Sequence, residues 1–303
     1  MTGAVDASVI VGLVNGGSMI DALLDALALQ VGPVSFEVIV ASRCQDGTAE
    51  RVSEKYPEVM LLRAEPGTTL PELRALCLAR SSGRFVFVTE DHTVPPVDWI
   101  SSLVSALEQA PESVAAAGGL VENGERDRVL DWASFLCEYS GYLPPLPAGE
   151  TSDLPGMNIV YRREALERTD PALLSSGFWE LNVHGRLLAE GRTLLRVPEV
   201  VIEHSKSFGF FTFASQRFHY SRWYAGARVQ DRPRPVRLGF AFLSIALPAL
   251  VLLRVTRQVF RRPTYRKHLW PSLPALACFA LFWGFGETVG YLAGPGRSLA
   301  KIE

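Results

Sequence analysis

Three consecutive side chains able to hold a metal ion, Glu90, Asp91 and His92, follow directly on the apolar run Phe85–Thr89 and precede a Pro95-Pro96 turn. Carboxylates at the carboxyl end of a buried strand suit a hard divalent cation bridging two phosphates, because ligands of parallel sheets collect in that crevice. A cation held there would neutralise charge on a departing diphosphate. The plainer alternative is an acidic turn that caps a helix, since acids mostly lie on surfaces. The strand before the acids and the turn after them favour the site.

These residues need a sheet to position them, and the sequence supplies its pattern. Short apolar runs at Ser8–Leu13, Phe36–Val40, Val59–Leu62 and Phe85–Thr89 have the form of buried strands. Helical patterns fill the gaps: Ile20–Gln30 places Ile20, Leu23, Leu24 and Leu27 on one face, Asp46 is expected to cap a second helix, and Pro71 suits the first turn of a third. A fourth helix over Asp98–Ala110 and a strand over Ser113–Val121 follow. Such repetition predicts an α/β fold with a parallel sheet covered on both faces. The Pro- and Gly-rich stretch Leu143–Pro155 is expected to be a mobile loop over a site, before a strand at Met157–Tyr161 and a helix at Phe178–Glu190.

A net charge of -2 over 303 residues gives no general basic field and so no reason to expect a nucleic-acid partner. Charge is nevertheless segregated: Arg217–Lys267 is rich in arginine with Asp231 as its one acid, which favours an anionic surface. Four dispersed cysteines without a CxxC pair argue against a zinc knuckle and a disulfide framework, and the first residues lack the basic start of a cleaved signal peptide. Two apolar segments close the chain, Leu238–Leu253 and Leu269–Ala293. The first, with Pro248, falls short of the roughly 20 residues that span a bilayer, so it is expected to dip into the membrane or lie in its plane. The basic linker Arg254–His268 places the assembly on the cytoplasmic side. That both segments are core helices of a larger soluble domain stays an alternative.

At Phe85–Trp99 the chain resembles the family-2 inverting glycosyltransferases of the GT-A fold, membrane-associated bacterial type, in which an apolar strand ends in Asp-x-Asp before Pro and a Trp-initiated helix. Glu90 and His92 stand at the two Asp positions. The resemblance covers about Ser8 to His204. It implies a GT-A Rossmann-like nucleotide-diphospho-sugar transferase domain with C-terminal membrane-associated helices. Gly12 and Asn15 are similar to the family's first strand and nucleotide-contacting turn. Asp46-Gly47-Thr48 matches the string after its second strand, where Ala41 and Ser42 replace the usual acids. Arg74 matches an arginine of the third helix, with a solvated helix face as its alternative. Gly156 and Asn158 lie in a segment similar to the acceptor side of the sugar pocket. The resemblance thus implies nucleotide-sugar contacts from Gly12, Asn15, Ser42, Asp46, Arg74, Asp91, Gly156 and Asn158.

Glu180 stands in the place of the family's Glu-Asp motif, with Leu181 at the Asp position, and is the implied general base, the one carboxylate an inverting transfer needs near the attacking hydroxyl. His184, one helical turn later, is either on that face or a satisfied structural residue. His204, where members of the family often carry histidine, would join Glu90 and His92 around a divalent metal, Mn or Mg, imidazole shifting preference towards Mn. A plain strand-end role for His204 stays open. The expectation is metal-assisted transfer of a sugar from a nucleotide-diphosphate donor to a lipid-linked or envelope-glycan hydroxyl at the cytoplasmic face of the cell membrane. Residues 1–205 would form the catalytic domain, 206–237 an aromatic and basic interface segment, and 238–303 the membrane-associated helices. The competing expectations are a catalytically degenerate membrane scaffold, suggested by Ala41, Ser42, Ala75 and Leu181, and a sugar-phosphate nucleotidyltransferase, which lacks its Gly-rich phosphate loop here.

Overall fold

The structure is a computed structural model describing residues 5–168 and 177–302; the stretch that bears on a leader, residues 1–4, lies outside them. The strands are β1 (Ala7–Leu13), β2 (Phe36–Ser42), β3 (Met60–Arg63), β4 (Phe85–Glu90), β5 (Thr93–Val94), β6 (Val114–Asn123), β7 (Gly149–Thr151), β8 (Ile159–Arg162) and β9 (Thr193–His204). The helices are α1 (Met19–Ala28), α2 (Thr48–Lys55), α3 (Leu70–Arg80), α4 (Trp99–Gln109), α5 (Val129–Tyr139), α6 (Arg163–Arg168), α7 (Glu180–Ala189), α8 (Phe210–Arg228), α9 (Arg234–Leu243), α10 (Leu247–Phe260) and α11 (Arg266–Ala293). They fall into two compact units, Met1–Glu122 with Tyr142–Ser205, and Asn123–Gly141 with Lys206–Glu303.

In the first unit the sheet runs β3-β2-β1-β4-β8-β6-β9-β5, with β7 on β9. Pairing is parallel among β3, β2, β1 and β4, as expected, but β8 is antiparallel to both β4 and β6. The sheet is therefore mixed rather than parallel throughout. Alternation sorts the apolar side chains to its two faces. Val9, Val11, Val38, Val40, Phe85 and Phe87 pack with α1 and α4 through Leu23, Leu27, Trp99 and Leu103. Ile10, Ile39, Val86 and Val88 pack on the other face with Leu73 and Cys77 of α3 and Val183 and Leu187 of α7. Burial on both faces explains why β1, β2 and β4 read as apolar runs; the buried strand expected at Val59–Leu62 is corrected, since β3 is an edge strand whose residues are half-buried or exposed.

Two local expectations are corrected. Leu143–Pro155 is not a free loop: Leu143 and Leu154 are buried, β7 pairs antiparallel with β9, and Tyr142 Oη donates to the Asp153 carboxylate. Asp46 is not the N-cap residue of α2, which is Gly47 in the left-handed region, although Asp46 Oδ1 still accepts from Thr48 N at 3.2 Å.

In the second unit α5 is buried along Trp132, Phe135 and Leu136. Glu138 pairs with Arg217 of α8, whose guanidinium also lies 4.9 Å from the Phe213 ring and 5.7 Å from the Trp283 ring of α11. The first apolar segment is longer than expected. The helical run covers Arg234–Phe260, 27 residues, because α9 continues through a 3-10 turn at Ser244–Ala246 into α10, where Pro248 sits harmlessly in the first turn. With Pro263–Ala293 it makes two helices long and apolar enough to cross a membrane by length and composition. Only 17% of the most apolar window of the first is buried, against 39% in the second, so most of its side chains face outward.

Candidate active site

The carboxyl ends of β1, β2 and β4 open on one side of the sheet, and the turns that follow them meet there. Gly17 N donates to Thr48 Oγ1 at 2.9 Å, and a Cβ at Gly16 would fall 1.7 Å from Asp46 Oδ2. Glycine at 16 is thus what allows the turn after β1 to close on the Asp46 loop. The two turns border an open pocket of about 520 Å³, lined among others by Asn15, Gly16, Arg43, Cys44, Asp46 and Gly67. The Thr48 side chain and amide hold the Asp46 carboxyl below its usual value. Gly12 and Ser42 sit at the carboxyl ends of β1 and β2, just before residues that line this pocket, and are not among its lining residues. Gly12 packs against Leu70, which a Cβ would approach to 2.6 Å, and Ser42 Oγ accepts from Cys44 N at 3.2 Å.

At the end of β4 the acids and imidazoles converge. His92 Nε2 lies 3.0 Å from His204 Nε2 and 3.2 Å from Glu90 Oε2, and the ligand atoms of Glu90, His92 and His204 all fall within 4.8 Å of one another. The β5–β9 pairing, Thr93 opposite His204, makes this meeting possible across 112 residues. His92 Nδ1 pairs with Asp91 Oδ1 at 2.6 Å, which directs Nε2 to the cluster, as carboxylates behind metal-ligating histidines do. Asp91 therefore orients His92, a role different from the sugar-nucleotide contact expected for it. Two imidazole nitrogens and a carboxylate oxygen form a donor set suited to Mn²⁺ and similar ions. Burial acts to raise the Glu90 carboxyl, but the hydrogen bond and charge of His92 and the charges of Arg74 and His204 outweigh it and hold the group well below the usual range.

Arg74 links this cluster to Glu180. It is only 1% exposed on α3, whose start is fixed by a capping box in which Glu72 Oε2 accepts from Thr69 N at 2.7 Å. Its Nη1 donates to Glu180 Oε2 at 2.7 Å and its Nη2 to Glu90 Oε1 at 3.3 Å. The solvated-face alternative for Arg74 is excluded by its burial. Glu180 occupies the first turn of α7, where the helix dipole favours a negative charge. The segment before it is pinned by Phe178 N donating to Pro71 O at 2.8 Å. Gly156 faces the same carboxylate: a Cβ there would lie 2.6 Å from Glu180 Cδ and Oε1.

Two further residues are accounted for by packing. Asn158 is buried and corrected from a sugar contact to an interior tie. Its amide donates to Leu120 O at 2.8 Å and Val200 O at 3.2 Å and accepts from Trp99 Nε1 at 2.8 Å. Gly119 makes room for it, since a Cβ there would meet Asn158 Nδ2 at 2.4 Å. His184 is buried and shares a 2.8 Å hydrogen bond with Tyr161 Oη, which gives it the structural role. The Arg74 bridge and the backing of Glu180 by Gly156 were missed from sequence, because neither pair has a local spacing signal.

No curated protein matches the chain. Among solved structures it is similar to the mannosyltransferase PcManGT from Pyrobaculum calidifontis in complex with GDP-Man and Mn²⁺, with 20% identity and a TM-score of 0.54 over 99% of this chain and 86% of that one. It is similar to S. aureus TarS at 16% identity and a TM-score of 0.51, over 94% of this chain and 55% of that one. GalNAc-T7 with UDP, GalNAc and Mn²⁺ aligns at 15% identity and a TM-score of 0.49 over 67% of this chain, which spans only 44% of that protein. The likenesses to PcManGT and TarS support the GT-A fold. The sequence profile "Glycosyl transferase family 2" matches residues 8–169, more than half of the 303 residues, and the chain belongs to glycosyl transferase family 2.

Proposed function

We propose that this glycosyltransferase moves a sugar, with inversion, from a nucleotide-diphosphate donor to a hydroxyl of a lipid-linked or envelope-glycan acceptor. The observation that carries the proposal is the single buried guanidinium of Arg74, which holds Glu90 of the candidate metal cluster and the candidate base Glu180 at once. A dispersed set of acids would suit a scaffold that has lost its chemistry; this convergence supports an enzyme. Glu90, His92 and His204 would hold a divalent cation, Mn or Mg, which when bound stabilises negative charge on the diphosphate. The donor complex of a structural neighbour, PcManGT with GDP-Man, motivates a nucleoside diphosphate sugar as the donor class.

In this reading Asn15 and Asp46 border the nucleotide, Ser42 holds the backbone of the lining residue Cys44, and Gly12 allows the close approach of Leu70. Glu180 accepts the proton of the acceptor hydroxyl as its oxygen attacks the anomeric carbon, and the sugar–phosphate bond breaks with its electrons leaving on the nucleoside diphosphate. Arg74 fixes the angle of the base through a charge-assisted hydrogen bond. Residues 1–205, apart from 123–141, which belong to the second unit, act as the catalytic domain and 206–237 as the interface segment, with 238–303 on or in the membrane. The outward apolar side chains along Arg234–Phe260, among them Phe242, Ile245 and Leu253, support a membrane association, and the arginines of the basic linker favour its cytoplasmic face. The test is a screen of nucleotide sugars, GDP-mannose and UDP-GlcNAc first, with and without Mn²⁺, followed by Glu180→Gln. The variant should keep donor binding and lose transfer; unaltered turnover would remove Glu180 from its role.

A further inference from the structure

We propose that a small pocket in the second unit, at the start of α5 and the first turns of α11, binds a phosphoryl group. The pocket holds about 120 Å³ and is lined among others by Arg126, Asp127, Arg128, Trp132, His268 and Ser272. That is well below the roughly 300–1,000 Å³ of pockets that enclose a whole drug-sized ligand, so it suits one headgroup rather than a sugar nucleotide. Three independent features agree on the chemistry.

The first is an unsatisfied hydroxyl. Ser272 Oγ is fully buried, lines the pocket and has no hydrogen-bond partner among the described residues. A buried hydroxyl without a partner costs about 1–3 kcal/mol, which an oxyanion accepting its proton removes. Pro271 and Pro274 bracket it and interrupt the helical ladder there. The second is positive potential. The N-terminal end of the 11-residue α5 opens at Val129, another lining residue, and such ends favour anions. Arg126 and Arg128 flank it. Arg126 Nε donates to the Asn123 carbonyl at 2.6 Å, and Arg128 Nε donates to Asp131 at 2.9 Å. Burial and the neighbouring Lys267 depress the His268 imidazole, so that an arriving dianion would draw a proton onto it.

The third is a flat apolar wall. Trp132 and His268 stack at 3.6 Å and 10°, and Trp132 Nε1 donates to Arg126 O at 3.1 Å, which folds the arginine loop over the stack. A phosphoryl group there would have carbon on one side and guanidinium on the other, as a lipid phosphate has. The basic residues Arg261, Arg262, Arg266 and Lys267 precede this turn of the long apolar helix, which places it where headgroups lie if the helix enters a bilayer.

The full chain in phosphatidylcholine nanodiscs, with histidines labelled for NMR, is titrated with inorganic phosphate and, separately, with short-chain phosphatidic acid. The expected result is saturable binding that raises the His268 pKa. Arg126→Ala should weaken it roughly ten- to hundredfold, Arg126→Lys less, and Ser272→Ala by up to about tenfold. Binding of the lipid alone assigns the source to a headgroup; equal binding of both ligands assigns it to a free oxyanion. No response of His268 to either ligand, or affinities unchanged in both the Arg126→Ala and Ser272→Ala variants, overturns the proposal. The readout needs no turnover, so it stands or falls apart from the transfer reaction.

Discussion

A single methyl group at position 156 should separate catalysis from folding. In Gly156→Ala the new Cβ would lie 2.6 Å from Glu180 Cδ and Oε1 and 2.8 Å from Cγ, so the carboxylate needs about 0.8 Å more room to reach ordinary van der Waals contact. The atoms that must yield are the end of a flexible side chain, not backbone, and the fold should lose no more than about 1 kcal/mol. The carboxylate, however, is pinned by Arg74 Nη1 at 2.7 Å, and moving it breaks or bends that bond. Misplacing a reacting group by about 1 Å costs on the order of a hundredfold in rate, about 2.7 kcal/mol of barrier. Steady-state kinetics with the donor found by the screen should therefore show kcat down by roughly that factor, with donor affinity measured by calorimetry nearly unchanged and Tm within a few degrees. A variant with wild-type kcat would refute the placement of Glu180 as the base, and one that loses donor affinity instead would show that Gly156 borders the donor.

Arg74→Leu removes the one cation shared by Glu90 and Glu180. Because the arginine is 1% exposed and the carboxylates about one-fifth exposed, the stability loss should be about 3 kcal/mol by denaturant titration, with transfer lost as well. Asn158→Ala should cost about 3–5 kcal/mol, a fall of roughly 10 °C in Tm, because it orphans Trp99 Nε1 and two carbonyls; a loss of sugar binding at unchanged stability would contradict the interior role. Glu37 supplies a pH test away from the site. Burial acts to raise its carboxyl, but hydrogen bonds from Ser8, Ser82 and Gly83 outweigh this and hold it below its ordinary 4.5. Its stabilisation should be complete above about pH 4.5 and disappear as the pH falls through the lowered value, so Glu37→Gln should flatten the acid limb of the stability curve, which calorimetry across pH 3–6 would record.

Strands β1, β2 and β4 were legible because they are covered on both faces and so carry apolar runs, whereas β3, at the sheet edge, has no buried residue and was legible from its short apolar string alone. The Glu90–His92 string was legible for a related reason: it follows directly on such a run. The antiparallel half was not. Leu143–Pro155 carries turn residues at the density of a loop, and only pairing with β9 reveals β7 within it. Asn158 was misassigned because a glycine-led polar residue looks the same whether it faces a ligand or an interior. The decisive neighbours, Trp99, Leu120 and Val200, are 38 to 59 residues away. The length of the first apolar helix was underestimated because the apolar run spans Leu238–Leu253, while the helix begins among arginines at Arg234 and continues past Arg254 and Arg257 to Phe260.

The chain passes between its two units at three points, after Glu122, Gly141 and Ser205, because α5 joins the second unit although sequence on both sides of it belongs to the first. A soluble fragment cut after Ser205 would therefore keep α5 but lose the side chains it packs against. Trp132 would be stripped of His268, and Glu138 of Arg217. The fragment would present a sticky helix to solvent, so a workable excision has to replace residues 123–141 with a short linker as well as removing the tail.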